Sequence, residues 1–324
     1  MTDTLRTAWL VTGARGQLGA ELLAVLGRRP GDTVTGVGRA ELDLTDESRV
    51  RAVVRDWLAA ATGRGERPVV VNAAAYTAVD AAETDEETAF VVNGRAPGWL
   101  AEELTGRGRL VHVSTDYVFD GTASEPYPVD APTAPRSAYG RTKAAGEWAV
   151  AAAGGDVTVV RTSWVHGAHG ANFVRTMAAR AAGGSPVSVV DDQVGSPTWS
   201  ADLAAGLVAL GARPEPVPPV LHRTDAGAVS WYGLARAVYE ELGADPDLVG
   251  PTTTAAFPRP APRPAYSVLD GAAWLAAGLP APRPWRTALH LALHDPAFHD
   301  PALHDPALHD PALHDPALHG RFRG

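Results

Sequence analysis

Along the first half of the chain, short apolar runs alternate with stretches whose apolar residues recur at helical spacing. Residues 8–12 form such a run, closed by Gly13, and predict a buried strand. Leu18, Leu22, Leu23, Val25 and Leu26 follow at the spacing of one helix face. The alternation continues with strands over 33–37, 68–71, 110–114 and 157–161 and helices over 47–60, 85–104 and 138–152. Apolar strands separated by helices belong to a parallel sheet covered on both faces, so to about Thr162 the chain reads as doubly wound α/β. Beyond it the pattern loosens. A Gly/His/Asn-rich loop at 166–172 precedes a helix over 173–182, a strand over 187–190 and helices near 202–210 and 231–242, which predict a smaller α/β lobe. The proline-rich stretches 213–219 and 258–264 are connections.

From His294 the pentad His-Asp-Pro-Ala-(Phe or Leu) repeats through Leu318, with a proline at every fifth position. That spacing forbids a regular helix, and one large apolar side chain per repeat buries too little surface to offset ordering entropy. Disorder is expected over 294–324. The repeat's six histidines, interleaved with aspartates, leave two readings open, an inert repeat expansion and a metal-binding tail.

Charge and composition narrow the function. The 28 basic and 37 acidic residues give a net charge of −9, which excludes polybasic attraction to nucleic acid or an anionic membrane. Cysteine is absent, which removes disulfides, thiolate metal sites and cysteine nucleophiles, and the expected compartment is a reducing one, the cytoplasm. No export signal or long apolar run stands in the sequence, so neither secretion nor a membrane-spanning helix is expected. No metal site is assigned to the body of the chain. Of the 28 basic residues 27 are arginine, and Lys143 is the single lysine.

Between the first strand and the first helix lies Thr12-Gly13-Ala14-Arg15-Gly16-Gln17-Leu18-Gly19. Gly13, Gly16 and Gly19 permit a tight turn, close approach of a pyrophosphate to backbone N–H groups, and close packing of helix on strand. The spacing is GxxGxxG rather than GxGxxG, a weak signal alone that its placement strengthens. Where such folds carry an acid for the ribose 2′-hydroxyl of NAD, the second strand here ends in Gly38-Arg39. Arg39 favours a 2′-phosphate, so NADPH is expected ahead of NADH; a plain surface arginine is the competing reading. The chain thus divides into a Rossmann-type dinucleotide-binding domain over 1–165, to which later segments return, a substrate-binding lobe over 166–293, and the repeat over 294–324.

Tyr139 and Lys143 lie four apart on the predicted 138–152 helix and share a face. A phenol with a pKa of about 10 exchanges a proton near neutrality only beside a positive charge, and Lys143 supplies one. A compact ammonium also reaches ribose hydroxyls better than a flat guanidinium, which gives a reason for the lone lysine. The third group is expected to be a hydroxyl at the carboxyl end of a strand, where ligands collect in open α/β sheets. Thr115, one residue beyond the predicted strand, is the expected donor to a substrate carbonyl, with Ser114 as the alternative, because neighbouring residues point opposite ways.

With these residues in view, the sequence resembles the extended short-chain dehydrogenase/reductases, and more closely the dTDP-4-dehydrorhamnose reductase family of nucleotide-sugar 4-ketoreductases. The similarity rests on TGARGQLG (12–19), Asp43-Leu44, VNAAAYTAVD (71–80), STDYVFDG (114–121), Tyr139 to Lys143, RTSWV (161–165), Asn172-Phe173 and DDQVGSPT (191–198), in family order. The resemblance implies that Gln17, Leu18, Asp43, Leu44, Ala75, Tyr76, Thr77 and Lys143 touch a nicotinamide cofactor. It also implies that Thr115, Asp116 and Trp164 meet a dTDP-sugar, with Tyr139 as proton donor. Asn172 and Arg263 are assigned to the same sugar nucleotide. For Arg263 a diphosphate contact stands beside an ion pair or surface role, and for Trp164 a ring under the deoxysugar stands beside an ordinary core position.

The implied reaction is hydride transfer from NADPH to C4 of a dTDP-4-keto-6-deoxyhexose, either dTDP-4-dehydrorhamnose or a related antibiotic deoxysugar. Thr115 would steady the oxyanion, Tyr139 protonate it, and Lys143 lower the tyrosine pKa. The family also includes a non-catalytic, dinucleotide-binding regulatory subunit, a reading against which the joint presence of Thr115, Tyr139 and Lys143 argues. His166 departs from the family, which often has an aromatic residue there, and leaves sugar specificity open. A homodimer is the assembly left open.

Overall fold

The computed structural model describes residues 6–300. Strands and helices alternate first as β1 (Thr7–Thr12), α1 (Gln17–Leu26), β2 (Thr33–Val37), α2 (Glu47–Gly63), β3 (Arg67–Asn72), α3 (Glu86–Phe90), α4 (Ala96–Leu104), β4 (Arg109–Thr115), α5 (Ala138–Ala153) and β5 (Asp156–Thr162). Then follow β6 (Val165–His166), α6 (Phe173–Ala182), β7 (Val187–Val190), β8 (Val194–Gly195), β9 (Thr198–Trp199), α7 (Ser200–Ala212), β10 (Val220–His222), β11 (Val229–Ser230), α8 (Trp231–Glu241), β12 (Val249–Thr252), α9 (Ala272–Ala276) and α10 (Trp285–His294).

Six strands form one parallel sheet in the order β10-β5-β4-β3-β1-β2. This is the Rossmann-type doubly wound sheet expected of the sequence. Every residue of β1 is buried. Successive side chains alternate between faces, so this requires two helical layers: Ala8 and Leu10 pack with α2, α4 and α5, while Trp9 and Val11 pack with α1 and α7. After β2 the chain returns to the other side of β1 to lay down β3, and at such a switch point a crevice opens beyond the strands' carboxyl ends. The sixth strand, β10, was not foreseen. Three residues behind a proline-rich stretch carry no periodicity to read.

The predicted 85–104 helix is a continuous path with a change of pitch, since α3 widens into a π turn over Val91–Arg95 before α4 begins. Pro97 in the first turn of α4 has no N–H and would crowd the carbonyl of Asn93; the wider turn relieves that conflict. In the second lobe α6, α8 and α10 enclose a core with β7 and β12, a parallel pair, around Val189, Val238, Tyr239 and Leu289. The remaining pairings, β6 with β9 and β8 with β11, are two residues long.

The first pentad is ordered, contrary to the expectation from His294 onward. Asp295 accepts from the Ala297 N–H at 2.9 Å and caps a short 3₁₀ turn over Pro296–His299. Phe298 is buried in the second lobe's core, with the Arg175 guanidinium 5.1 Å from its ring centroid. This repeat carries phenylalanine where the later ones carry leucine, and the larger ring reaches a core already built by α6 and α10. The rest of the repeat, 301–324, lies outside the described residues. Among the described residues no helix is long and apolar enough to cross a membrane.

Below the carboxyl end of the sheet, Arg161 on β5 and Glu147 on α5 form a buried pair at 2.7 Å, and the Ser114 hydroxyl donates to Glu147 at 2.5 Å. Removing one partner strands a buried charge. Glu147→Ala is expected to lower the unfolding free energy by about 3–5 kcal/mol, read from urea denaturation; a loss below about 1 kcal/mol would contradict the pairing.

Candidate active site

The carboxyl ends of β1 and β3 and the middle of β4 are tied by a buried polar rung. Thr12 Oγ1 donates to Asn72 Oδ1 at 2.6 Å, and Asn72 Nδ2 lies 3.0 Å from His112 Nδ1. From this rung the chain turns at Gly13, whose φ is +67° and whose Cβ, if present, would stand 2.8 Å from the backbone of Ala74. Only glycine fits a left-handed turn pressed against another backbone. Gly19 closes the same turn, packing the first turn of α1 on Gly13 and Ala14. Gly16 precedes α1 without any side-chain cap, and no acid stands in the first turn, whereas Asp46, Ser137, Asn172 and Ser230 cap α2, α5, α6 and α8. The leading N–H groups of α1, at Gln17 and Leu18, therefore form a donor set suited to a pyrophosphate. The residues fit a dinucleotide.

Tyr139 and Lys143 lie on the first turns of α5, whose start is fixed from three sides. Ser137 caps Gly140 N–H at 3.1 Å, Glu83 accepts from Ala138 N–H at 2.8 Å, and a Cβ on Gly140 would stand 2.2 Å from the Tyr117 carbonyl. Thr115 still belongs to β4, opposite Thr162, rather than lying beyond the strand. Its hydroxyl donates to Asp116 Oδ1 at 2.9 Å and accepts from Tyr117 N–H at 3.2 Å, and it faces the Tyr139 phenol. Ser114 points the other way, into the Glu147–Arg161 pair. The alternation that distinguished the two hydroxyls thus leaves Thr115 beside Tyr139.

Burial pushes the Tyr139 phenol up to about 12, and the neighbouring Thr115 hydroxyl offsets only part of that rise. The expectation that Lys143 brings this phenol down is corrected: burial dominates. The Lys143 ammonium, 2% exposed, donates to the Val113 carbonyl at 2.7 Å, and burial lowers it to about 8. Tyr139 is therefore a protonated phenol at neutral pH, suited to giving a proton. Burial raises the Asp116 carboxyl to about 6. Tyr117 stands edge-on to Tyr139 with ring centroids 5.5 Å apart.

The other predicted residues are spread around this centre. Arg39 is exposed at the end of β2, Asp43 accepts from Thr45 N–H at 2.9 Å, and Leu44 is buried in the core beside α2. Ala75 and Tyr76 are half-buried and Thr77 exposed in the loop after β3, where Asn93 accepts from Tyr76 N–H at 2.8 Å. Gln17 and Asn172 have their side chains engaged: Asn172 donates to Gln17 Oε1 at 2.8 Å and caps Arg175, and Gln17 donates to the Val165 carbonyl at 3.1 Å. Together they tie the phosphate turn to the second lobe. Trp164 has a φ of +48° and stacks on Trp231 with centroids 3.5 Å apart, so one ring face is covered by protein. Arg263 donates to Asp80 at 2.9 Å, an acid that also holds Arg259. His166 is buried and held near 4 by desolvation, hence neutral.

The family model described as "RmlD substrate binding domain" matches residues 7–297. The chain belongs to the RmlD family. It is 52% identical over 290 residues to a probable dTDP-4,6-dihydroxy-2-methyloxan-3-one 4-ketoreductase of Streptomyces antibioticus, covering 89% of this chain and 95% of the relative. It is 48% identical over 295 residues to the dTDP-4-dehydrorhamnose reductase of Streptomyces griseus, covering 89% and 94%. Among solved structures, the dTDP-4-dehydrorhamnose reductase of Bacillus anthracis in complex with NADP superposes with a TM-score of 0.82 at 31% identity, covering 89% of this chain and 99% of that one.

In this RmlD-family chain three neighbours of the site escaped the sequence reading. Arg15 lies across Gly38 and pairs with Glu41, which also accepts from Gly38 N–H at 2.9 Å. Tyr117 packs on Tyr139, and Asp80 clamps the 259–263 loop. All three sit inside the family motifs, but nothing in the spacing of a sequence marks which side chains fold back onto them.

Proposed function

We propose that this chain reduces the C4 ketone of a dTDP-4-keto-6-deoxyhexose, dTDP-4-dehydrorhamnose first among them, using NADPH. The observation that carries the reading is the Thr115–Tyr139 pair at the carboxyl end of β4, with a phenol kept protonated by burial and a buried lysine one helical turn away. When bound, NADPH supplies the hydride. The N–H groups of Gln17 and Leu18 hold its pyrophosphate, Arg39 and Arg15 its 2′-phosphate, and Lys143 its ribose. Thr115 gives a hydrogen bond to the ketone oxygen, and Tyr139 delivers the proton as charge develops there. Lys143 then steadies the phenolate that remains. Steady-state oxidation of NADPH with dTDP-4-dehydrorhamnose tests this; no turnover with that sugar or its 4-keto relatives would refute it.

The cofactor preference has its own test. Arg39→Ala is expected to raise KM for NADPH by about 10-fold, the scale of one charge-assisted hydrogen bond, while KM for NADH stays unchanged. An equal rise for both would remove Arg39 from the 2′-phosphate.

The name of the Streptomyces antibioticus relative favours a second reading, a dTDP-4-keto sugar with a different hydroxyl pattern. A substrate panel separates the two by kcat/KM. The reading includes a cytoplasmic location, where NADPH and nucleotide sugars occur. The reading also includes a homodimer, which sedimentation tests.

A further inference from the structure

Away from the Rossmann crevice, at the edge of the second lobe, the last turn of α8 meets the second half of α10. Glu241 of α8 and His290 and His294 of α10 each offer a ligand atom, and these three atoms all lie within 4.8 Å of one another. The histidines stand four apart, so they share one helix face, and their rings lie 4.3 Å apart. We propose that these three residues bind a divalent transition cation of the zinc class, leaving a fourth position to water.

The details match what such an ion requires. Imidazole and carboxylate are the ligands that zinc accepts in N/O sites. His294 Nδ1 lies 2.8 Å from the His290 carbonyl; as donor there, it leaves Nε2 with a free lone pair, the outer-shell arrangement that orients a ligating histidine. Glu241 is oriented too. Arg286 holds Oε1 at 3.3 Å, which leaves Oε2 beside His290 Nδ1 at 2.8 Å. Tetrahedral zinc separates neighbouring ligand atoms by about 3.4 Å, so this pair has only to open slightly, and His290 is exposed enough to do so. Arg286 opposes a cation less than an isolated guanidinium would, because Glu240 pairs with it at 2.7 Å. His294 is also the first histidine of the pentad repeat, so the site stands where the metal-ligating composition of the sequence begins.

Because the ligands come from two helices, the ion clamps α8 to α10 and stabilises the fold by mass action. Zn²⁺ in hundredfold excess over its Kd is expected to raise the Tm of the full chain by about 4 °C. The rise disappears in His294→Ala and in Glu241→Gln. It persists when His304, His309, His314 and His319 are all replaced by alanine. The proposal is overturned if Zn²⁺ leaves Tm unmoved, if the rise survives His294→Ala, or if it depends on the four later histidines. Zinc binding by calorimetry on the same variants gives a second readout independent of unfolding, with one site lost on His294→Ala.

Discussion

Tyr139→Phe is expected to reduce kcat for 4-keto reduction by about 10²–10⁴-fold, the contribution of a positioned general acid. The affinity for NADPH, measured by fluorescence titration, should stay within twofold, because the phenol ring remains packed against Tyr117 and only the hydroxyl is lost. Near-wild-type turnover would mean that another group, such as water held by Thr115, delivers the proton. Thr115→Val probes the same oxygen from the other side and should lose less, since it removes a hydrogen bond rather than the proton source.

The second large effect belongs to Lys143. Its ammonium is buried, donates to the Val113 carbonyl, and titrates at about 8. The group acts when charged, so kcat/KM is expected to hold through neutrality and to fall as pH rises through about 8, while the Tyr139 phenol at about 12 stays protonated across that range. Lys143→Met should cost at least about 10²-fold in kcat/KM and abolish the alkaline limb. A limb that persists in Lys143→Met would assign the titration to another group. For stability the sign is opposite to that of activity. A lysine whose folded pKa lies below its unfolded value binds fewer protons when folded, so Lys143 adds stability as pH rises from about 8 toward 10.

The lone lysine was the most informative residue in the sequence. A composition with 27 arginines and one lysine leaves that position standing out, and its spacing from Tyr139 needs only the helix period to interpret. Four of the five strands of the first half were legible because a buried parallel strand must be apolar on both faces, while the mostly exposed edge strand β2 was legible from its place between two helices. Legibility stopped where structure depends on partners distant in the chain. β10 is three residues that complete a sheet only because β5 offers an edge. Asn172 and Gln17 carried the family pattern, yet their amides bond each other across the join between phosphate turn and second lobe. Arg263 could be read as a phosphate ligand or half of an ion pair, and Asp80 decides which contact it makes in the structure. The direction of the Tyr139 shift was misread for a related reason. Spacing places a lysine near a tyrosine, but desolvation depends on everything else packed around both, and here burial and the neighbouring Asp116 carboxylate raise the phenol.

Electrostatics accounts for how a chain of net charge −9 can receive two anionic ligands. In the proposed reading the uncapped start of α1, Arg15 and Arg39 supply the positive charge at one end of the sheet, since local field rather than net charge governs what binds in a cleft. Glu41 tempers that field by pairing with Arg15, so a 2′-phosphate must compete with a carboxylate already in place.

The proposed reaction is hydride delivery from NADPH to the C4 carbonyl of a dTDP-4-keto-6-deoxyhexose at the Tyr139 centre. Incubation with NADPH deuterated at the transferable position of the nicotinamide and dTDP-4-dehydrorhamnose, followed by NMR of the product, tests it most directly. The account predicts one deuterium per sugar, bound to C4, with NADPH consumed in equal amount. Product without deuterium at C4, or no product while the protein binds NADPH, would contradict it.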